Sequence, residues 1–354
     1  MKKVLIILAL GTLLIQCRRD EDAPAHQTTP YRLNIPSTLP RASLPTDNPL
    51  TVEGVELGRK LFYDPILSID STISCASCHN QKLAFTDNGR RFSVGVSGQI
   101  GKRTSMPLVN LMYHPTFFWD GRTSILRQQV LEPIEDVTEM GETLPGVVAK
   151  LRRASLYREA FQKAFGTPDA DPDLIAKALE QFLLIMVSGD AKFDRVQRGV
   201  EQFTASEARG FAIFNAEANP NGVLRGGDCF HCHNTAIFTT NELINNGLEP
   251  TSDLGLGALT GDPFDNFKFK TPTLRNVAVS GPYMHDGRFA TLEEVIDHYD
   301  HGVVVTPSID PNMHGSIDGL NLTSQDKEDL INFLKTLTDD AFLQNPAFSN
   351  PFKP

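Results

Sequence analysis

Basic residues never run beyond pairs such as Arg90-Arg91 and Arg152-Arg153, and the formal net charge is -10. Nucleic-acid binding usually requires a basic face or stripe, so that class of function is disfavoured. The N-terminal apolar run, Val4 to Ile15, falls short of the roughly 20 apolar residues needed to span a bilayer. Strand signals are sparse, which points to a mainly α chain with little β. Tryptophan occurs once, at Trp119, and cysteine only five times. A hydrophobic content of 40% is nevertheless enough to build real cores. A length of 354 residues suggests about two domains.

The few cysteines are concentrated. Four of them form Cys75-Ala76-Ser77-Cys78-His79 and Cys229-Phe230-His231-Cys232-His233. Cys-x-x-Cys-His is the attachment signature of c-type haem: each thiol adds across a vinyl group, and the adjacent histidine ligates iron from one face. A four-thiolate zinc site is the rival reading. It does not account for the histidine directly after each pair, and the pairs lie too far apart for a compact ribbon. Two covalently bound haem c groups, with His79 and His233 as proximal ligands, are expected.

The fifth cysteine, Cys17, closes an N-terminal signal. Lys2-Lys3 form its positive region and Val4 to Ile15 its apolar region. Leu14-Ile15-Gln16-Cys17 resembles a bacterial lipobox, although Gln16 stands where a small residue is usual. Lipidation at Cys17 and plain cleavage nearby both export the chain. The expectation is a periplasmic protein, lipid-anchored through Cys17.

Residues 1–17 thus read as signal peptide with lipobox and 18–50 as a Pro-rich tether. Residues 51–198 and 199–340 read as two cytochrome c-like haem domains, and 341–354 as an aromatic, prolyl tail packing on a surface. Val52, Val55, Leu57, Leu61 and Phe62 recur at helical spacing ahead of the first haem motif. Thr204 to Glu207 matches a capping box and opens a second helix ahead of the other motif. This repeated helix–loop–motif layout suggests duplication. Asp173 to Ser188 reads as a buried helix, Thr291 to Glu294 as a further capping box, and Ser324 to Leu337 as a closing amphipathic helix.

Further motifs now fall into order. They are Trp119-Asp120-Gly121-Arg122, then Gln129, Pro133 and Glu139-Met140, then Thr273-Leu274-Arg275-Asn276 and His285-Asp286-Gly287. Together with the haem motifs they resemble the bacterial dihaem cytochrome c peroxidase/MauG family, over nearly all the chain from about residue 51. The resemblance implies that the N-terminal haem is the peroxidatic centre and the C-terminal haem the electron-transfer centre. Trp119 would lie between them, while Glu139 and Gln129 would line the distal pocket and Pro133 would shape it. It also implies a calcium ion between the domains, at Thr104 and the carbonyls of Ser280 and Pro282. Thr104 stands where the family usually has Asn.

Two departures sharpen the expectation. The family's distal His on the peroxidatic haem falls at Val96, which cannot ligate iron, and His114 lies too near Trp119 to replace it. That haem should be open in the oxidised protein. On the second haem, peroxidases place Met and MauG-like members Tyr; the matching position is Tyr299. Its bland reading is a half-buried helix residue, and His298, His301 and Met284 compete as ligands. His285 reads as a propionate or packing partner, His231 as a solvent- or propionate-facing side chain, and His26 and His314 have no assigned role.

The implied activity is reduction of hydrogen peroxide to water, with electrons from a small cytochrome c or copper protein relayed from the C-terminal to the N-terminal haem. Two other readings stand beside it. One is a MauG-like enzyme that uses peroxide to oxidise a partner protein. The other is a dihaem electron-transfer protein without turnover. The resemblance suggests a homodimer.

Overall fold

The computed structural model describes residues 26–353 apart from Pro220, Val223 and Leu224; the signal peptide and Cys17 lie outside the described residues. The described chain is helical, with one two-stranded antiparallel ribbon pairing Leu243–Ile244 with Phe269–Lys270. No helix among the described residues is long and apolar enough to cross a membrane.

Each half is built on a helix that carries a glycine at the crossing point. Helix Val52–Tyr63 packs on helix Pro172–Leu184, and helix Ala205–Phe214 packs on helix Ser324–Lys335. A Cβ added at Gly58 would lie 1.9 Å from the Ala178 carbonyl oxygen. One added at Gly210 would lie 1.9 Å from that of Asp329. Only glycine lets the two backbones approach this closely. Phenylalanines fill the space beyond each crossing: Phe62 meets Phe182 at 5.4 Å and Phe214 meets Phe333 at 5.1 Å between ring centroids. The helix starts are set by side chains, with Thr204 and Thr291 each accepting from the backbone N–H three residues on and Glu207 and Glu294 completing the boxes.

The apolar residues separate into two cores. The first gathers residues from Leu50 to Met186, the second from Ile213 to Leu337. Phe193 packs on the second core, so the changeover lies ahead of Gly199. The helix expected to run to Ser188 ends at Leu184. The turn that follows presents Ser188 to both halves. Its N–H donates to the Asn110 side chain at 2.9 Å, its carbonyl accepts from Asn110 Nδ2 at 2.9 Å, and its hydroxyl accepts from Asn276 Nδ2 at 3.1 Å. Asn110 and Asn276 are both left-handed, at φ 59° and 62°, and occupy corresponding places in the two halves.

Both terminal segments differ from expectation. Residues 26–50 contain no helix, yet they form a strap against the first core rather than a loose tether. Leu39 and Leu50 are buried, and Asn48 exchanges hydrogen bonds with Glu180 and Gln181 at 2.7 and 2.8 Å. The tail does more than lie on a surface. It forms the turns Asp340–Leu343 and Pro346–Phe348, and Phe342, Leu343 and Phe348 enter the first core. Each buried aromatic contributes about 1.5–3 kcal/mol of apolar transfer. The tail thereby returns the end of the second half to the first.

Candidate functional site

The first haem-attachment motif sits on a single helical turn, Cys75–Cys78, with the His79 N–H bonded back to the Cys75 carbonyl at 3.0 Å. His79 Nδ1 lies 2.6 Å from the Phe85 carbonyl, and Phe85 is left-handed at φ 62°. In the second motif His233 Nδ1 lies 2.9 Å from the Phe238 carbonyl, with Phe238 at φ 54°. A carbonyl at Nδ1 makes that nitrogen the N–H donor and leaves the Nε2 lone pair free. Burial lowers both imidazole pKa values, His233 to about 4, which keeps the rings neutral and able to donate to a metal.

All four thiols are free. Burial pushes them up, Cys78 to about 11 and Cys75, Cys229 and Cys232 to about 12. Each pair lies in a partly buried crevice, its two sulfurs close enough to interact. Paired reduced thiols and an Nε2-directed imidazole fit a covalently held haem at each motif. A cavity of about 690 Å³ borders His233, Phe214, Phe238 and Arg275, but neither Cys229, Cys232 nor Tyr299, so it is not that crevice.

The segments carrying Gln129, Pro133 and Glu139 fold into two short turns, Leu126–Gln129 and Glu132–Glu135, and a loop. The Glu139 carboxylate is close enough to Cys75 and Cys78 to raise both thiols further. Glu139 is open to solvent at the crevice mouth, yet the surrounding walls strip much of its hydration. That desolvation pushes its pKa up to about 7, helped by Asp136 and Glu132 and opposed by Arg122. Val96 lies directly beside it, its N–H donating to the Glu139 carbonyl at 2.7 Å. Gly95 passes so close to this loop that a Cβ would meet the Thr138 carbonyl at 2.1 Å. The structure therefore brings Glu139, Val96 and the first cysteine pair together.

Between the motifs, Trp119 is buried, and its Nε1 donates to the Thr104 carbonyl at 2.9 Å. The Thr104 N–H donates to the His285 carbonyl at 2.8 Å, and its hydroxyl to the Met284 carbonyl at 3.0 Å. One residue thus joins Trp119 to the loop after the second motif. The Thr104 hydroxyl is already engaged with the Met284 carbonyl, and Thr104 with the carbonyls of Ser280 and Pro282 includes no carboxylate. Three neutral oxygens match calcium in hardness but bring none of the charge that usually tightens its binding.

Tyr299 lies on helix Leu292–His301 and packs on the second core. Its phenol is pushed up to about 12 by burial, with Cys232 and Cys229 near enough to raise it further. Of its competitors, His298 is buried with Nε2 held 3.1 Å from the Asn246 carbonyl, and His301 is exposed beside Asp300. Met284 converges with Tyr299: Asn246 Nδ2 lies 3.1 Å from the Tyr299 oxygen and 3.6 Å from the Met284 sulfur. Sequence reasoning passed over Asn246, although Asn246-Gly247 is a turn signal between apolar segments.

His285 stacks on Phe269 at 3.6 Å, which makes it a packing partner, and His231 pairs with Glu217 at 3.2 Å. His114 is half-buried, with Nδ1 2.5 Å from the Asn241 side chain and 3.0 Å from Lys270 Nζ.

A family model for di-haem cytochrome c peroxidase matches residues 52–202. The methylamine utilization protein MauG of Methylorubrum extorquens is 36% identical over 310 residues, covering 86% of this chain and 83% of that protein. The cytochrome c551 peroxidase of Nitrosomonas europaea is 32% identical over 312 residues, covering 86% and 85%. The crystal structure of a MauG-like protein associated with microbial copper homeostasis superposes with a TM-score of 0.82 at 34% identity, covering 91% of this chain and all of that one.

Proposed function

The chain belongs to the di-haem cytochrome c peroxidase family, and on that premise we propose a periplasmic enzyme that reduces hydrogen peroxide to water. As a member it is a peroxide-acting oxidoreductase with two haem c groups. In the proposed arrangement Cys75, Cys78 and His79 hold the reactive haem, and Cys229, Cys232 and His233 hold the haem that receives electrons from a small redox protein. When bound, the haems supply the iron that takes peroxide and stores oxidising equivalents.

The rest falls to the chain. Glu139 accepts the proton from the near peroxide oxygen and delivers it to the far one, as general acid–base catalysis requires. Gln129 orients peroxide from the same side, and Pro133 holds the turn between them. Val96 adds no ligand there, so the site stays open. Trp119, joined through Thr104 to Met284 and His285, occupies the route between the two halves. The observation that carries this reading is Glu139, with its raised pKa, beside the first cysteine pair and Val96.

A MauG-like role, in which peroxide is used to oxidise a partner protein, is favoured by Val96 and by Tyr299 in the second site. Stopped-flow oxidation of reduced small cytochromes and copper proteins by peroxide separates the readings. Rapid turnover with a small donor supports the peroxidase. Oxidation confined to a cognate partner protein supports the MauG-like role, and turnover with neither leaves an electron-transfer protein.

Tyr299 is proposed as the distal ligand of the second haem, a hard anionic donor that favours ferric iron and lowers its potential. Tyr299→Phe is expected to change the second haem's absorption and EPR spectra; unchanged spectra remove it as ligand. A calcium ion at Thr104, Ser280 and Pro282, a homodimer and a lipid anchor at Cys17 complete the proposal. Elemental analysis after dialysis against chelator-free buffer containing calcium, followed by brief desalting, checks the ion: calcium at one per chain supports it, and its absence removes it.

A further inference from the structure

Asn246 is held unusually firmly for a loop residue. Its backbone carbonyl accepts from His298 Nε2 at 3.1 Å, and His298 precedes Tyr299 on the same helix. Its neighbours are tied down as well. Asn245 donates to Thr306 and Ser308 at 2.8 and 2.9 Å, and the Gly247 carbonyl accepts from Val304 at 2.8 Å. Gly247 is left-handed at φ 71°, and a Cβ there would meet Val303 at 2.4 Å, so the loop has little room to shift. From this fixed base the amide reaches two side chains of different donor chemistry, the Tyr299 oxygen at 3.1 Å and the Met284 sulfur at 3.6 Å. Met284 itself is held at φ 71°, a backbone region that side-chain-bearing residues occupy at a cost and that clusters at functional sites.

We propose that Asn246 is a positioning residue that selects the sixth donor at the second haem iron, holding the Tyr299 oxygen in place and leaving the Met284 thioether as the alternative. This rests on the reading of Tyr299 as ligand. A hydrogen bond from the amide anchors the oxygen far more strongly than it holds a thioether, which is a weak acceptor. Without it, Tyr299 is held by helix packing alone, and Met284, one amide's reach away, becomes the competitor. The exchange is redox-neutral. An iron–oxygen bond breaks, an iron–sulfur bond forms, and the released phenol oxygen recovers its proton from solvent.

The test uses the oxidised holoprotein, with Asn246→Leu and, as a milder change that keeps a polar side chain too short to reach, Asn246→Ser. Both are expected to lose the wild-type signature of the second haem, to gain a far-red thioether-to-iron charge-transfer band, and to show a raised potential at that haem. The band should disappear in Asn246→Leu/Met284→Leu, while Met284→Leu alone keeps the wild-type spectrum. Wild-type spectra in both Asn246 variants, or loss of the signature without the new band, overturns the proposal. A spectrum that changes in Tyr299→Phe but not in the Asn246 variants removes the role of Asn246 alone. No change in Tyr299→Phe removes the underlying reading instead.

Discussion

Replacing Glu139 by Gln is expected to lower peroxide turnover by about 10²–10⁴-fold, the usual contribution of a positioned acid–base group, with both haems still attached. Glutamine keeps the size and the hydrogen-bonding ends of the side chain but can neither take nor give a proton. No other carboxylate is proposed for the transfer; Asp136 and Glu132 act on Glu139 by raising its pKa. The pH dependence has a definite sign. With the pKa raised to about 7 by the desolvating walls around it, the carboxylate that must accept the first proton is scarce below that pH and dominant above it. The bimolecular rate with peroxide should therefore rise through about pH 7 and level off, and the Glu139→Gln profile should be flat across the same range. Turnover unchanged in the variant would move the acid–base role to another residue.

The largest expected loss of stability is at Arg275. Its guanidinium and the Asp194 carboxylate are fully buried and bidentate, at 2.8 and 2.9 Å, and the same guanidinium donates to the Ala236 carbonyl at 2.6 and 3.0 Å. Ala236 belongs to the loop between His233 and Phe238, so this pair braces the carbonyl that orients the second imidazole. Arg275→Met leaves Asp194 buried without its partner, which costs about 3–5 kcal/mol. Denaturant unfolding followed by circular dichroism should show a lower midpoint, and the spectrum of the second haem should broaden while that of the first is unchanged. Removing both charges in Arg275→Met/Asp194→Leu should recover part of the loss, because the uncompensated charge is then gone. A midpoint unmoved by Arg275→Met would mean the pair does not brace the loop.

Much of the framework was legible because it depends on local chemistry. The two Cys-x-x-Cys-His runs announce themselves, and the boxes at Thr204–Glu207 and Thr291–Glu294 cap helices in the structure. Apolar spacing marked Val52–Tyr63, and the few strand signals left only a two-residue ribbon. What stayed hidden depends on partners distant in the chain. Ser188 leaves its expected helix because Asn110 and Asn276 both bond to it. The tail becomes part of a core because Phe342 and Phe348 find apolar space in the first half, far away in sequence. The carbonyls of Phe85 and Phe238, which set the tautomers of His79 and His233, carry no residue-type signal at all. Asn246 was passed over for the same reason: its importance lies in reaching Tyr299 and Met284 at once, not in its own type.

On the proposed reading the first haem is open to peroxide in the oxidised protein, because Val96, which cannot ligate iron, stands beside Glu139. EPR of the fully oxidised holoprotein, recorded before and after adding peroxide, tests this most directly. The expected result is one high-spin and one low-spin ferric signal, with peroxide removing the high-spin signal without prior reduction. Two low-spin six-coordinate signals, unmoved by peroxide, would contradict it.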